Sequence, residues 1–143
     1  MGLTSELLTE MAVHSGLDLA GAIEAKTLVH LRERLELRRR QGRTTNFEET
    51  EIERRIDPTL IWPEARSIIA VGSSYLLTPE KQIASSTEPR GKVARCAQGL
   101  DYHLRLEYYA RNLVNSMKKE LPAPLHFRIL IDRNPLVERE LAV

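Results

Sequence analysis

The chain has 143 residues with 21 basic and 20 acidic side chains, a formal net charge of +1, so charge as a whole points to neither nucleic acid nor an anionic membrane surface. With 42% apolar and 29% charged residues it has the composition of a globular domain with one core, and no apolar run approaches the roughly 18 residues that cross a bilayer. Its one cysteine, Cys96, excludes an internal disulfide, a thiolate zinc site and a self-contained iron–sulfur cluster, which leaves a reducing, cytoplasmic setting as the default.

The start, MGLTSELLTEMAVHSG, lacks the basic-then-apolar order of a signal peptide. Ser5–Ser15 instead places Leu7, Leu8, Met11 and Ala12 on one helical face, with Thr4 or Ser5 as cap and Gly16 at the left-handed position that ends the helix. Leu17–Ala25 is short and rich in small residues, and reads as a buried strand. Lys26 to about Gln41 reads as a second helix with Leu28, Leu31, Leu35 and Leu37 apolar, ended by Gly42. EETEIERR supports a short helix, and Asp57-Pro58 starts another helical turn by the N-cap and proline-at-N1 rules.

Ser67–Leu77 (SIIAVGSSYLL) is β-branched and nearly all apolar, the pattern of a central strand. Thr78–Leu100 has no apolar periodicity, and so long a connection in a compact domain is usually functional or disordered. Asp101 caps a helix to about Leu121 whose stripe is Leu106, Tyr109, Leu113 and Met117; Pro122 and Pro124 stop it. His126–Asp132 alternates Phe127, Ile129 and Ile131 as a half-buried strand does, and Asn134-Pro135 opens a last helix. That helical pattern stops at Val143 without a breaker, so the sequence reads as truncated at its C-terminal end. The expectation is an α+β domain, with Leu17–Ala25, Ser67–Leu77 and Phe127–Asp132 in one small mixed β-sheet flanked by helices.

Two places can carry chemistry. Asp132 ends an apolar strand, an edge where α/β folds put catalytic groups, and partial burial would let it hold a proton as a general acid. Spacing alone favours a plainer role, capping the turn before Pro135 or pairing with Arg133 or Arg139. At Gly99–His103 the first helical turn offers free N–H groups beside Tyr102 and His103, although spacing alone favours the plainer reading, in which Tyr102 extends the core stripe and His103 faces solvent. Arg90, Lys92 and Arg95 around Gly91 form a weak anion- or amide-binding signal. The basic run Arg32, Arg34, Arg38, Arg39 and Arg40 is interleaved with Glu33 and Glu36, so a solvated, salt-bridged face is favoured over an RNA contact. Trp62 before Pro63 reads as a packing anchor, and His14, His30 and His126 have no metal-ligand spacing.

Three stretches, taken together and in order, carry a family resemblance. GKVARCAQGLDYH (Gly91–His103) resembles G-x-[IV]-A-R-Y-A-x-G-x-D-Y-H, IDRNPLVERELA resembles V-D-T-x-P-L-x-E-R-x-x-A, and RRIDPTLIWPEARSII resembles the entry to the family's first long strand. All three are similar to motifs of the epoxyqueuosine reductase family, with Cys96 and Arg133 departing from the pattern. The resemblance implies a cobalamin-dependent, iron–sulfur enzyme that removes the epoxide oxygen in the last step of queuosine synthesis in tRNA. It implies that residues 1–143 are an N-terminal corrinoid-binding domain, with Arg95, Gly99, Asp101, Tyr102 and His103 at the cofactor. Tyr102 would lie near the substrate face of the cobalt and Asp132 would donate the proton. It places the two [4Fe–4S] clusters outside this chain, which has one cysteine, so electrons must come from the missing C-terminal part or another donor. A paralogous corrinoid domain with a different substrate, and a non-catalytic partner-binding module, are the alternatives; no membrane partner is implied.

Overall fold

A computed structural model describes residues 2–75, 91, 94, 97, 100–122, 124–132 and 134–142. In chain order the elements are α1 (Ser5–His14), β1 (Leu19–Glu24), α2 (Arg32–Arg40), α3 (Ile52–Ile56), β2 (Ser67–Gly72), α4 (Tyr102–Glu120) and α5 (Glu138–Leu141), with single 3₁₀ turns at Val29–Leu31 and Pro58–Leu60. The chain divides into two units, residues 1–19 with 71–131 and residues 20–70 with 132–143.

In the first unit α1 begins where Thr4 accepts the Leu7 N–H at 3.2 Å. It ends where Gly16 turns left-handed at φ 92°, the two signals expected of it. Its inward face buries Leu8, Met11 and Ala12 and packs on α4, which buries Leu113 and Met117. Each of the leucine and methionine side chains taken fully from water is worth about 1.5–3 kcal/mol. A Cβ at Gly16 would stand 2.7 Å from Cε1 of Tyr109 on α4, so this turn needs glycine for its φ and for space. Gly16→Ala is therefore expected to lower stability by at least about 1–2 kcal/mol, read as a shifted urea midpoint with an unchanged m-value.

In the second unit Leu31, Leu35 and Ile56 form a core with Leu28, Ile52 and Val137 packed against it. The expected helix from Lys26 starts later, because the Leu28 N–H donates to the Ile56 carbonyl at 2.8 Å instead of entering a helical ladder. Asp57 caps the Pro58 turn as expected, its carboxylate accepting from the Thr59 N–H at 2.9 Å and hydroxyl at 2.7 Å. The basic run is a salt-bridged face, but most partners come from other segments: Glu53 for Arg32, Glu140 for Arg34 at 3.1 Å and Glu48 for Arg38 at 2.8 Å.

Glu48 also receives Arg55 at 2.8 Å. Burial pushes its pKa up, but the Arg55 hydrogen bond and the Arg38 and Arg55 charges outweigh that and hold it below the ordinary glutamate value. A lowered folded-state pKa means that this stabilisation is complete above the unfolded value of about 4.3 and is lost as pH falls through the folded one. Glu48→Gln is expected to lower the urea midpoint at pH 7 and to flatten its decline below about pH 4.5.

The α+β class holds, with a smaller sheet than expected among the described residues. β1 and β2 pair antiparallel, with Asp18 N–H on the Gly72 carbonyl at 2.9 Å and Ala25 N–H on the Arg66 carbonyl at 3.0 Å; the sheet has two strands and is not mixed. β2 is half-buried rather than central, since it has one neighbour in that sheet, and β1 is mostly exposed rather than buried for the same reason. Phe127–Asp132 is not a strand. The alternation puts Ile129 and Ile131 inward of exposed Arg128 and Leu130 but leaves Phe127 exposed, and a ladder needs a partner edge as well as facing.

Candidate functional site

The best-formed constellation lies at the start of α4. Asp101 adopts a non-helical conformation (φ −51°, ψ 118°) just before the helix, and its Oδ1 accepts the His103 N–H at 2.9 Å. The same oxygen stands 2.7 Å from His103 Nδ1. A carboxylate can only accept, so Nδ1 carries the proton, and in the neutral ring Nε2 is an acceptor. Tyr102 stacks on the imidazole, with ring centroids 4.1 Å apart and planes at 28°. Tyr102 and His103 are half-buried, as are Leu106 and Tyr109 further along the stripe, so Tyr102 fits the core-stripe reading while His103 is only partly open to solvent.

Sequence reasoning missed three contributors. Leu100 and Leu104 are 85% and 66% exposed on either side of the cap, an apolar surface beside polar groups. Arg105, one turn in, extends Nη2 to the Ser74 carbonyl at 3.5 Å, while its Nε is buried without a hydrogen-bond partner. An orphaned buried N–H is costly, and an acceptor-bearing ligand at this end of α4 would satisfy it. The available signal was a guanidinium at i+4 from the cap, next to the apolar stripe at Leu106.

Asp132 belongs to the other unit. It is the non-glycine residue with positive φ, 52°, among those described. Such a conformation is uncommon outside glycine, asparagine and aspartate, and clusters at functional sites. Asp132 is exposed, which corrects the expected partial burial: the left-handed bend interrupts the apolar segment Ile129–Ile131 at this residue. The turn before α5 is capped by Asn134, whose Oδ1 accepts the Leu136 N–H at 3.0 Å and whose amide donates to Glu138. α4 thus brings together Asp101, Tyr102 and His103, and Asp132 is described apart from them. Arg95 and Gly99 lie outside the described residues, as do Arg90, Lys92, Cys96 and Arg133. No cluster of three or more His, Cys, Asp or Glu side chains suited to a metal ion occurs among the described residues. None of the described helices is long and apolar enough to cross a membrane.

A corrinoid has flat apolar faces rimmed by amide groups that both donate and accept. The start of α4 offers matching partners: apolar Leu100 and Leu104, the Tyr102–His103 stack, the Asp101 carboxylate and the unspent Arg105 Nε. These residues fit such a group.

The family described as "Epoxyqueuosine reductase QueG, DUF1730" matches residues 55–133. An epoxyqueuosine reductase of Bacillus subtilis (strain 168) is 33% identical over 138 residues, 96% of this chain and 36% of that protein. Among solved structures, an epoxyqueuosine reductase with an epoxyqueuosine-modified tRNA-Tyr stem loop superposes with a TM-score of 0.82 at 33% identity, covering 96% of this chain and 36% of the other. A second, from Bacillus subtilis with an aspartate-bearing catalytic loop swung out of the active site, gives 0.70 at 35% identity, covering 82% of this chain and 32% of the other. The chain spans about a third of the length of these relatives. Since the matched residues make up more than half of the sequence, the chain belongs to the epoxyqueuosine reductase family.

Proposed function

We propose that this chain is the N-terminal, cobalamin-binding portion of an epoxyqueuosine reductase that removes the epoxide oxygen in the last step of queuosine synthesis in tRNA. The observation that carries the reading is the Asp101–Tyr102–His103 constellation on the family motif, next to the orphaned Arg105 Nε. Bound there, cobalamin supplies the reduced metal centre of the reaction. Tyr102 and His103 orient it, Leu100 and Leu104 exclude water from its apolar edge, and Arg105 Nε donates to an acceptor on its rim. By the family motif, Asp132 is the residue that passes a proton to the epoxide oxygen as the C–O bond breaks, a role that requires the bound substrate to cover it, because Asp132 is exposed in this chain.

One cysteine cannot hold a cluster, so the [4Fe–4S] relay comes from the rest of the polypeptide or from another electron donor. The relative seen with a tRNA stem loop supports tRNA as the macromolecular substrate. A reducing cytoplasm suits that substrate and the lone cysteine.

Visible spectra of cobalamin titrated with the purified chain test the reading. The expected result is a saturable spectral change that weakens about tenfold in Arg105→Ala and in Tyr102→Ala, the loss of roughly 1.4 kcal/mol from one removed contact. An unchanged cobalamin spectrum at high micromolar chain would sink it.

A further inference from the structure

Phe47 is 99% exposed, the most exposed large apolar side chain among the described residues. A ring left so fully in water forgoes its burial free energy, and a slack loop would let it fold back. The loop is not slack. The Glu48 N–H closes a turn onto the Thr45 carbonyl at 3.3 Å, with Asn46 and Phe47 at its centre. The Glu48 carboxylate accepts Arg38 Nη2 and Arg55 Nη1, each at 2.8 Å, and the Thr45 hydroxyl at 3.4 Å. Arg38 Nη2 also donates to the Arg43 carbonyl at 2.9 Å, which ties the start of the loop to the same guanidinium.

This turn has more positive than negative charge. Arg38 and Arg55 share the single carboxylate of Glu48, Arg54 is met by Glu49, and Arg39 spends its guanidinium on the neutral Thr50 carbonyl. The remaining arginines of the run are matched by Glu53, Glu140 and Glu36. An exposed aromatic ring on a turn with surplus guanidinium charge nearby is the chemistry that binds unpaired nucleotides: the ring stacks on a base and the cations hold the phosphate. An apolar protein pocket would use the ring but not the charge. A backbone turn held in place before binding also costs less to order than a slack loop.

We propose that the Thr45–Glu48 turn is an RNA contact, in which Phe47 stacks on an unpaired base of the substrate's loop and the surrounding arginine charge holds the adjoining phosphate. This deepens the proposed function, since it rests on an RNA substrate.

The test is fluorescence anisotropy of the purified chain with a labelled RNA hairpin that has an unpaired loop, and with a blunt duplex of the same stem. Phe47→Ala is expected to bind the hairpin roughly 5- to 150-fold more weakly, the range implied by one lost base–aromatic stack, with no change on the duplex. Phe47→Trp should restore hairpin binding, and Arg43→Gln should weaken both RNAs and lower the salt dependence. Circular dichroism should show the fold of each variant intact, because Phe47 buries nothing. The proposal is overturned if Phe47→Ala binds the hairpin as the parent does, or if the parent binds neither RNA. A Phe47→Ala variant that loses self-association in sedimentation while keeping its RNA affinity also overturns it, in favour of a protein contact. Cobalamin titrations on the same samples separate the two readings. Cobalamin binding with Phe47-independent RNA affinity sinks this proposal alone, and Phe47-dependent RNA binding without cobalamin binding sinks the corrinoid reading alone.

Discussion

Asp132→Asn in the full-length enzyme is expected to lower turnover by roughly 10²–10⁴-fold, the range associated with a lost general acid, and to leave cobalamin affinity unchanged. The substitution isolates the proton. Asparagine enters the left-handed region about as readily as aspartate, so the φ of 52° at this bend survives the change. The shape and approximate size of the side chain survive as well, and Asn134 rather than Asp132 caps the following turn. What is lost is the acidic proton. Single-turnover assays with reduced enzyme and epoxyqueuosine-containing RNA separate this step from electron delivery and product release. Unchanged turnover would remove Asp132 as the acid and leave it a conformational role.

Ile56→Ala should destabilise the chain by about 3–4 kcal/mol, within the 2–5 kcal/mol typical of such truncations. Ile56 is fully buried among Leu31 and Leu35, and Leu28, Ile52 and Val137 pack on the same cluster. Its carbonyl receives the Leu28 N–H at 2.8 Å, so the residue joins three segments of the second unit through side chain and backbone. With few large residues able to collapse into the space, most of the cavity cost remains. Ile56→Val should cost only about 0.5–1.5 kcal/mol. Urea titrations of the three proteins measure both values, and a loss below about 1 kcal/mol for the alanine variant would show that this cluster is not the unit's core. Against a total stability of about 5–15 kcal/mol, the expected loss is large enough to show in expression as well.

What the sequence made legible was local. Thr4, Asp57 and Asp101 act as caps, and Gly16 and Gly42 take the left-handed positions at the helix ends, because each rule involves residues within one turn of each other. What it hid was tertiary. The start of α2 is displaced by a hydrogen bond from Leu28 to Ile56, residues far apart in the chain. The arginines of α2 find Glu53, Glu140 and Glu48 rather than mainly their own helix, and no spacing rule reaches that far. Phe127–Asp132 has the alternation of a strand without a strand's partner, so the predicted three-stranded sheet reduces to β1 and β2.

The candidate site divides the same way. Asp101 was legible as a cap, and Tyr102 and His103 were legible as neighbours of a helix start. Their mutual stacking and the shared Asp101 oxygen depend on side-chain rotamers that spacing does not specify. Arg105 was overlooked because its significance lies in an unpartnered Nε, which only a packed structure reveals. Asp132 was marked by a family motif, and its left-handed backbone adds an independent reason to regard the position as special.

The central claim is that the start of α4 holds a corrinoid. Equilibrium dialysis of cobalamin against the purified chain tests it most directly, because uptake is counted without any assumption about spectra or turnover. Saturable, stoichiometric uptake that falls in Arg105→Ala is the predicted result. No retention of cobalamin above the protein-free control at high micromolar chain would contradict it.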